Sequence, residues 1–404
     1  MITRLRPHPE AVRFVPFFIG INLIGGVHLV FFPVWLASIG FSSTTIGTLL
    51  ASMNLLRVLS GPVLGVVADA SGARRLAIIC LMSLAAMSYA GYAAFSSIAL
   101  VVLFSFTSSG AFSAIGPLLE GVTLKAAMQW GFDYGRVRLW GSAAFVAMNF
   151  IGGGLITANG IAVFPWVLTV AGTLALAASF VLPPDRDVRH DGHAAVVRTQ
   201  ALALMRQPLF LLFVATAGIA QGCHAFYYSF GTLNWKALGY SADFIGFLWA
   251  LGVIAEIVLL TFSGRIVVRI GPVRLLAIGA ACGLIRWTVL ALSPPLWILI
   301  PVQCLHAGTF CAAHLGAMHF ILRATPPHLI GTAQSVYGAV TLGVFFTAGQ
   351  YASGLLFTAH GSYGYLAMTA MSGVALALAL LLGRLWNGGI LAIDRRGSEG
   401  IAGV

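Results

Sequence analysis

Residues 40–51, GFSSTTIGTLLA, return 199 positions later as GYSADFIGFLWA, residues 239–250. The match continues at the same offset. Gly65, Gly72, Arg75 and Leu76 correspond to Gly264, Gly271, Arg274 and Leu275, and ten of the 37 pairs from Gly40 to Leu76 are identical. A repeat of this period implies two copies of one structural unit. Composition says what kind of unit it is. Hydrophobic residues make up 59% of the chain and DEKR only 8%, with a mean hydropathy of +0.95. A soluble domain carries about a quarter of its residues as charges. The apolar runs, at about 20 residues or more each, are long enough to cross a ~30 Å hydrocarbon core as helices. The chain therefore reads as a polytopic membrane protein.

Twelve spans are expected, at residues 13–38, 43–68, 75–95, 98–126, 134–157, 161–182, 208–236, 242–268, 273–293, 295–322, 329–358 and 362–386. The 47 glycines suit close helix–helix approach in lipid. The longest polar gap follows span 6, so the expected division is a six-helix bundle at 1–182, a central loop at 183–207 and a second six-helix bundle at 208–404. The fold class is all-α: twelve transmembrane helices in two pseudo-symmetric bundles. Halves related in this way indicate a transporter with its substrate site between them, near mid-membrane.

Basic residues set the expected orientation. Arg4, Arg6 and Arg13 precede span 1; Arg74 and Arg75 join spans 2 and 3; Arg136 and Arg138 follow span 4, with Lys125 at its end. Arg186, Arg189, Arg198 and Arg206 fill the central loop, and Arg265, Arg269 and Arg274 join spans 8 and 9. Arg323 follows span 10, and Arg384, Arg395 and Arg396 come last, whereas the opposite loops hold only Lys236. By the positive-inside rule both termini are cytoplasmic, in a bacterial inner membrane. The net charge of +11 is then topological and calls for no nucleic-acid partner. The basic start leads into an apolar run too long for a signal-peptide core, so no cleaved leader is expected. Cys80, Cys223, Cys282, Cys304 and Cys311 all fall in spans and suggest neither disulfides nor a metal motif.

Four charges fall inside apolar runs: Arg57 in span 2, Glu120 in span 4, Glu256 in span 8 and Arg286 in span 9. A charge near mid-bilayer costs at least a few kcal/mol, which makes such residues functional candidates by default. The alternative is that some only pair to lock helices together. The repeat aligns Arg57 with Glu256, so the two suit a cross-pore pair, or each finds a partner in its own half.

GVVADASGARR, residues 65–75, resembles the signature between helices 2 and 3 of the major facilitator superfamily. Asp69, Gly72, Arg74 and Arg75 match it, while Ala70 stands where a basic residue is usual. The second copy, GRIVVRIGPVR, has Val268 in place of the Asp. The resemblance implies that this loop helps form and break a cytoplasmic gate. Within the superfamily the chain is most similar to the 3-phenylpropionate/proton symporters, and more distantly to the lactose permease group. The similarity covers nearly the whole chain and is densest in DYGRVRLWGSAAFV, QGCHAFYYSF, GYSADFIGFLWALGVIAEI, CGLIRW and LHAGTFCAAHLGAMHFI.

Glu120 and Arg138 form the first candidate constellation. Span 4 ends shortly after Glu120 and span 5 begins at Asp133, so both side chains sit within about 10 Å of the cytoplasmic boundary on antiparallel neighbours. The thirteen-residue separation from Glu120 to Asp133 resembles that in lactose permease, where the equivalent Glu and Arg bind the sugar. Arg136 lies two residues from Arg138 and so about 200° around the helix, facing elsewhere. It is read as a headgroup contact, with Arg138 facing the pore; the alternative places both at the interface.

Glu256, Arg286 and His306 form the second constellation. The resemblance to lactose permease puts Arg286 and His306 on positions serving proton coupling and substrate contact, but Thr309 stands where that protein has a protonated Glu. Glu256 is then the natural proton carrier, with Glu120 its rival. Burial raises a carboxyl pKa and a nearby Arg lowers it, so a moving Arg links access to protonation. Gln221, His224 and Tyr228 in span 7 share one helical face at i, i+3 and i+7, as a pore-lining stripe would. Asn22 and His28 in span 1 are weaker candidates. His306, His314 and His319 lack metal spacing, and no metal site is expected.

The expected function is a secondary transporter, a proton-coupled symporter of a small organic solute such as the aromatic carboxylate 3-phenylpropionate, anchored by Arg286 or Arg138. No cofactor is expected besides the coupling proton, and the partners are the solute and the lipid bilayer, with the protein a monomer. A sugar or nucleoside symporter and a proton-driven exporter are alternatives; a channel or a sensor belongs to a different class. The chain lacks the nucleotide-binding motif G-x-x-x-x-G-K-[ST], and GYSAD lacks the last Gly of G-x-S-x-G, so neither ATP hydrolysis nor an enzyme is indicated.

Overall fold

A computed structural model describes residues 9–184 and 194–391. All regular elements among them are helical. Eleven helical stretches are long and apolar enough to cross a membrane, and the last of them, Pro327–Leu385, has 59 residues. At ~1.5 Å rise per residue that is about 88 Å, too long for one crossing. Gly361, at φ +55°, breaks it into spans 11 and 12.

Local chemistry places the ends. Ser42 caps span 2 by accepting from the Thr45 N–H, and Gly72, at φ +64°, stops it in the left-handed conformation that glycine adopts without strain. Asp133 caps span 5 by accepting from the Gly135 and Arg136 amides. Span 4 runs to Trp130, four residues beyond its expected end, because it stays helical to the left-handed Gly131. Arg4, Arg6, Arg186, Arg189, Arg395, Arg396 and the Arg198 side chain lie outside the described residues.

Two compact units emerge. The first comprises Met1–Val188 with Tyr228–Ala250. Span 1 packs on spans 5 and 6, span 3 on spans 4 and 6, and span 2 on span 4. Gly20 lets spans 1 and 6 approach closely, since a Cβ there would meet the Ala175 Cα at 2.6 Å. The second unit comprises Arg189–Tyr227 with Leu251–Val404. Span 9 packs on spans 10 and 12, and span 7 on spans 11 and 12. Phe213 stacks on Phe320 at 4.2 Å in a core that includes Tyr337 and Leu382.

This grouping differs from the expected 1–182 and 208–404 by the segment Tyr228–Ala250. The reason is close packing inside the first unit. The Thr157 hydroxyl donates to Asp243 Oδ1 at 3.0 Å, the Asp243 N–H meets Thr157 Oγ1 at 3.0 Å, and Gly246 lies against the Asn149 carbonyl.

Three spans of the second half are not continuous α-helices. Span 7 breaks at Cys223 and His224, between helices Pro208–Gly222 and Ala225–Ala237. Span 10 breaks at Leu305, one turn after Pro301, and continues as a π-helix over Ala307–Ala312. Span 11 carries a second π-helix, Ala339–Phe346. Such turns recur at functional sites because they rotate side chains away from the regular helical register.

Candidate functional site

Two of these breaks meet around Arg286. Its side chain is 0% exposed, in the middle of span 9. Nη1 donates to His306 Nδ1 at 2.8 Å and to Thr309 Oγ1 at 3.1 Å, and Nη2 donates to Gln303 Oε1 at 2.9 Å. Tyr227 and Trp287 cover the guanidinium plane, with ring centroids 4.5 and 4.6 Å from Cζ. Cation–π contacts of this kind strengthen when water is excluded. Beyond the histidine, His306 Nε2 lies 2.8 Å from Glu256 Oε1.

The direction of each hydrogen bond follows from the arginine. A guanidinium can only donate, so His306 Nδ1 accepts and its proton sits on Nε2, from which it donates to Glu256. The geometry thus describes Arg286⁺, a neutral imidazole and an accepting carboxyl oxygen of Glu256 in one line. A parallel chain runs through Thr309. His224 Nδ1 faces the Gln221 carbonyl at 3.0 Å and must donate to it, which leaves Nε2 to accept from the Thr309 hydroxyl at 3.1 Å. Gln221 in turn donates from Nε2 to the Phe310 carbonyl at 3.1 Å, within the distorted turn. Gln303 Oε1 faces both Arg286 and the Tyr227 hydroxyl, and two donors fix its amide orientation.

The first unit holds a more open constellation. Arg138 Nη2 lies 3.6 Å from Glu120 Oε1, with side chains 61% and 45% exposed. Tyr134 meets both members. Arg136 turns instead to Asp133, its Nε 3.6 Å from Oδ2. At the loop between spans 2 and 3, Arg74 Nε donates to Asp69 Oδ1 at 2.6 Å, and Arg75 Nη2 donates to the Phe180 carbonyl at the end of span 6 at 2.7 Å. That loop is stapled to its own unit at two points.

A family model, MFS_1 like family, matches residues 17–367. A protein of Escherichia coli (strain K12) described as a probable 3-phenylpropionic acid transporter is 33% identical over 357 residues, covering 86% of this chain and 91% of that protein. The chain belongs to the MFS_1-like family of the major facilitator superfamily. It is a membrane transporter and not an enzyme. A maltose permease of Geobacillus stearothermophilus is 29% identical over 308 residues, 75% of this chain and 76% of the permease. Among solved structures, the nucleoside transporter NupG superposes with a TM-score of 0.78 at 14% identity, over 94% of this chain and 100% of that one. At that identity the likeness shows the fold alone.

Within this transporter, Glu256, Arg286 and His306 come together, and Gln221 and His224 join them. Tyr228 does not follow. The shared face expected for Gln221, His224 and Tyr228 presumes an unbroken helix, and the break at Cys223 shifts the register. Tyr227 takes the place over Arg286, while Tyr228 packs on Trp249 at 5.6 Å. Gln303 and Trp287 were also outside the expected set. Their signal was position: Trp287 follows Arg286, and Gln303 precedes His306 by three residues in a span containing Pro301. Arg57 meets no carboxylate: the ion pairs of the described residues involve other arginines and a histidine. Among the described residues no group of three or more His, Cys, Asp or Glu is placed to hold a metal ion.

Proposed function

We propose that the protein is a proton-coupled symporter of a small aromatic carboxylate, of the 3-phenylpropionate type. It works by alternating access in a bacterial inner membrane, with both termini cytoplasmic and the monomer as the working unit. The observation that carries this reading is the line Arg286–His306–Glu256, held at 2.8 Å on each side of the imidazole. Glu256 is the acid of the membrane interior, and its ionised form is stabilised by a hydrogen bond that Arg286 orients. A proton arriving on Glu256 removes the charge that His306 Nε2–H addresses, and the carboxylic acid must then turn its O–H to another acceptor. Protonation therefore weakens the hold of His306 on Glu256 by removing its charge, and that is the change on which coupling would act. The substrate class follows the relative described as a 3-phenylpropionic acid transporter. The Arg138–Glu120 pair and the Asp69–Arg74–Arg75 loop serve as a second polar site and a gate element.

In lightly buffered cells or proteoliposomes, adding 3-phenylpropionate outside is expected to alkalinise the external medium as solute and proton enter together. Uptake that proceeds with no pH change, and that ignores an imposed proton gradient, would remove the symport reading.

A further inference from the structure

Arg57 stands fourteen residues into the 29-residue helix Ser43–Ser71, about 21 Å from its start at ~1.5 Å per residue. It is therefore a mid-membrane charge, and it is exposed on its unit. Every acid of that unit among the described residues is engaged elsewhere. Glu10 pairs with Arg13, Asp69 with Arg74, Glu120 with Arg138 and Asp133 with Arg136, while Asp243 is bound by Thr157. Glu256, in the other unit, is held by His306. No acid of the described residues pairs with this mid-membrane guanidinium, which leaves it open to an anion that arrives.

The charge of Arg57 reaches the His28 ring and the Tyr89 hydroxyl. His28 is stacked on Phe32 at 4.4 Å and 19°, with Tyr89 at 6.4 Å. Tyr89 is itself fixed: its ring occupies the space that a side chain at Gly172 would fill, 2.8 Å from where a Cβ would sit. Thr169 donates to its backbone carbonyl at 3.0 Å. The neighbouring Tyr92 spends its hydroxyl on Ser105 at 3.0 Å, but no such bond ties Tyr89 or His28 among the described residues.

We infer that Arg57 is the anchor for the carboxylate of the transported anion. This deepens, and rests on, the organic-anion reading above. The planar fork of Arg57 fits two carboxylate oxygens, and the phenol O–H and an imidazole N–H supply the further donors that a carboxylate accepts. Of the two expected anchors, Arg286 is buried and engaged by His306, Thr309 and Gln303, and Arg138 faces Glu120 at 3.6 Å. A neutral sugar or nucleoside would need acceptors too, and this cluster brings no carboxylate.

The test compares 3-phenylpropionate, benzoate and lactate with 3-phenylpropionamide, the neutral amide of the first, by isothermal titration on the purified full-length protein. Wild type is expected to prefer the acid to the amide. R57Q is expected to lose about 10- to 100-fold in affinity for the acid with the amide unchanged, the effect of one charge-assisted pair. R57K, which keeps the charge, retains part of the preference, and Y89F lowers acid affinity about threefold to tenfold. These two carry the test if R57Q does not fold. An R57Q protein that still discriminates acid from amide overturns the Arg57 assignment and leaves the function standing. So does recovery of acid binding in R57Q/E256Q, which would make Glu256 the partner of Arg57. A wild type that binds no carboxylate, or binds acid and amide alike, overturns both.

Discussion

Arg57 and Arg286 occupy the middle of spans 2 and 9, one in each unit, and their surroundings are opposites. Arg286 is enclosed: three side chains accept from it, two aromatic rings cover it, and water does not reach it. Arg57 is exposed and forms no ion pair with a carboxylate of the described residues. A satisfied buried cation fixes its neighbours, whereas one without an acceptor is available to a ligand. The comparison separates an arginine that organises the coupling line from one that meets the solute.

The largest expected effect tests that separation through stability. Arg286→Met leaves His306 Nδ1 without its donor, Gln303 Oε1 with the Tyr227 hydroxyl alone, and Glu256 without its distant positive charge. Breaking a buried charge network by removing one partner costs about 3–5 kcal/mol. Arg57→Gln, at an exposed site, is expected to stay within about 0.5 kcal/mol. Thermal unfolding of both variants in the same detergent checks this. Equal losses would mean that Arg57 is as structural as Arg286, and the contrast would collapse.

Next comes function with the fold intact. Glu256→Gln keeps an oxygen that accepts from His306 Nε2–H, so the line of hydrogen bonds survives but can no longer take up a proton. Uphill accumulation is expected to disappear, with the inside-to-outside ratio of the anion falling to about one at zero membrane potential, the limit set by equilibrium without coupling. Exchange of internal for external solute should stay measurable. Accumulation that survives in this variant would pass the proton role to Glu120.

Much of this was legible in the sequence. The repeat from Gly40 and Gly239 and the apolar run lengths gave twelve spans, because both depend on bulk hydrophobicity and period. The Glu120–Arg138 pair was legible because spans 4 and 5 are regular helices joined by a short turn, so counting residues gives reach. The Arg286 site was legible only in outline. Counting at 3.6 residues per turn put Tyr228 beside His224, and the break at Cys223 made Tyr227 the neighbour of Arg286 instead. The π-turn after His306 likewise carries Thr309 to the guanidinium. Helix breaks of this kind arise from tertiary contacts such as Gln221 to the Phe310 carbonyl, which no local pattern announces.

The smallest stability effects, and a sharper test of the first unit, come from its paired arginines. Arg136 and Arg138 are two residues apart, each 3.6 Å from a carboxylate, and each more than half exposed. Exposed pairs of this kind contribute about 0–1 kcal/mol, so Arg136→Ala and Arg138→Ala should be indistinguishable by unfolding. Transport should tell them apart. Asp133 is a helix cap, and its bond to Arg136 closes within one turn, so losing Arg136 changes only a local contact at a helix end. Glu120 and Arg138 bridge spans 4 and 5, and a charge removed there leaves its partner alone at the edge of hydrocarbon. Uptake rates are expected to fall severalfold in Arg138→Ala and to stay near wild type in Arg136→Ala. A double variant Glu120→Gln/Arg138→Ala that transports better than Arg138→Ala alone would identify the unpaired carboxylate as the cause. Equal losses from both arginines would instead return the whole of residues 133–142 to a topological role.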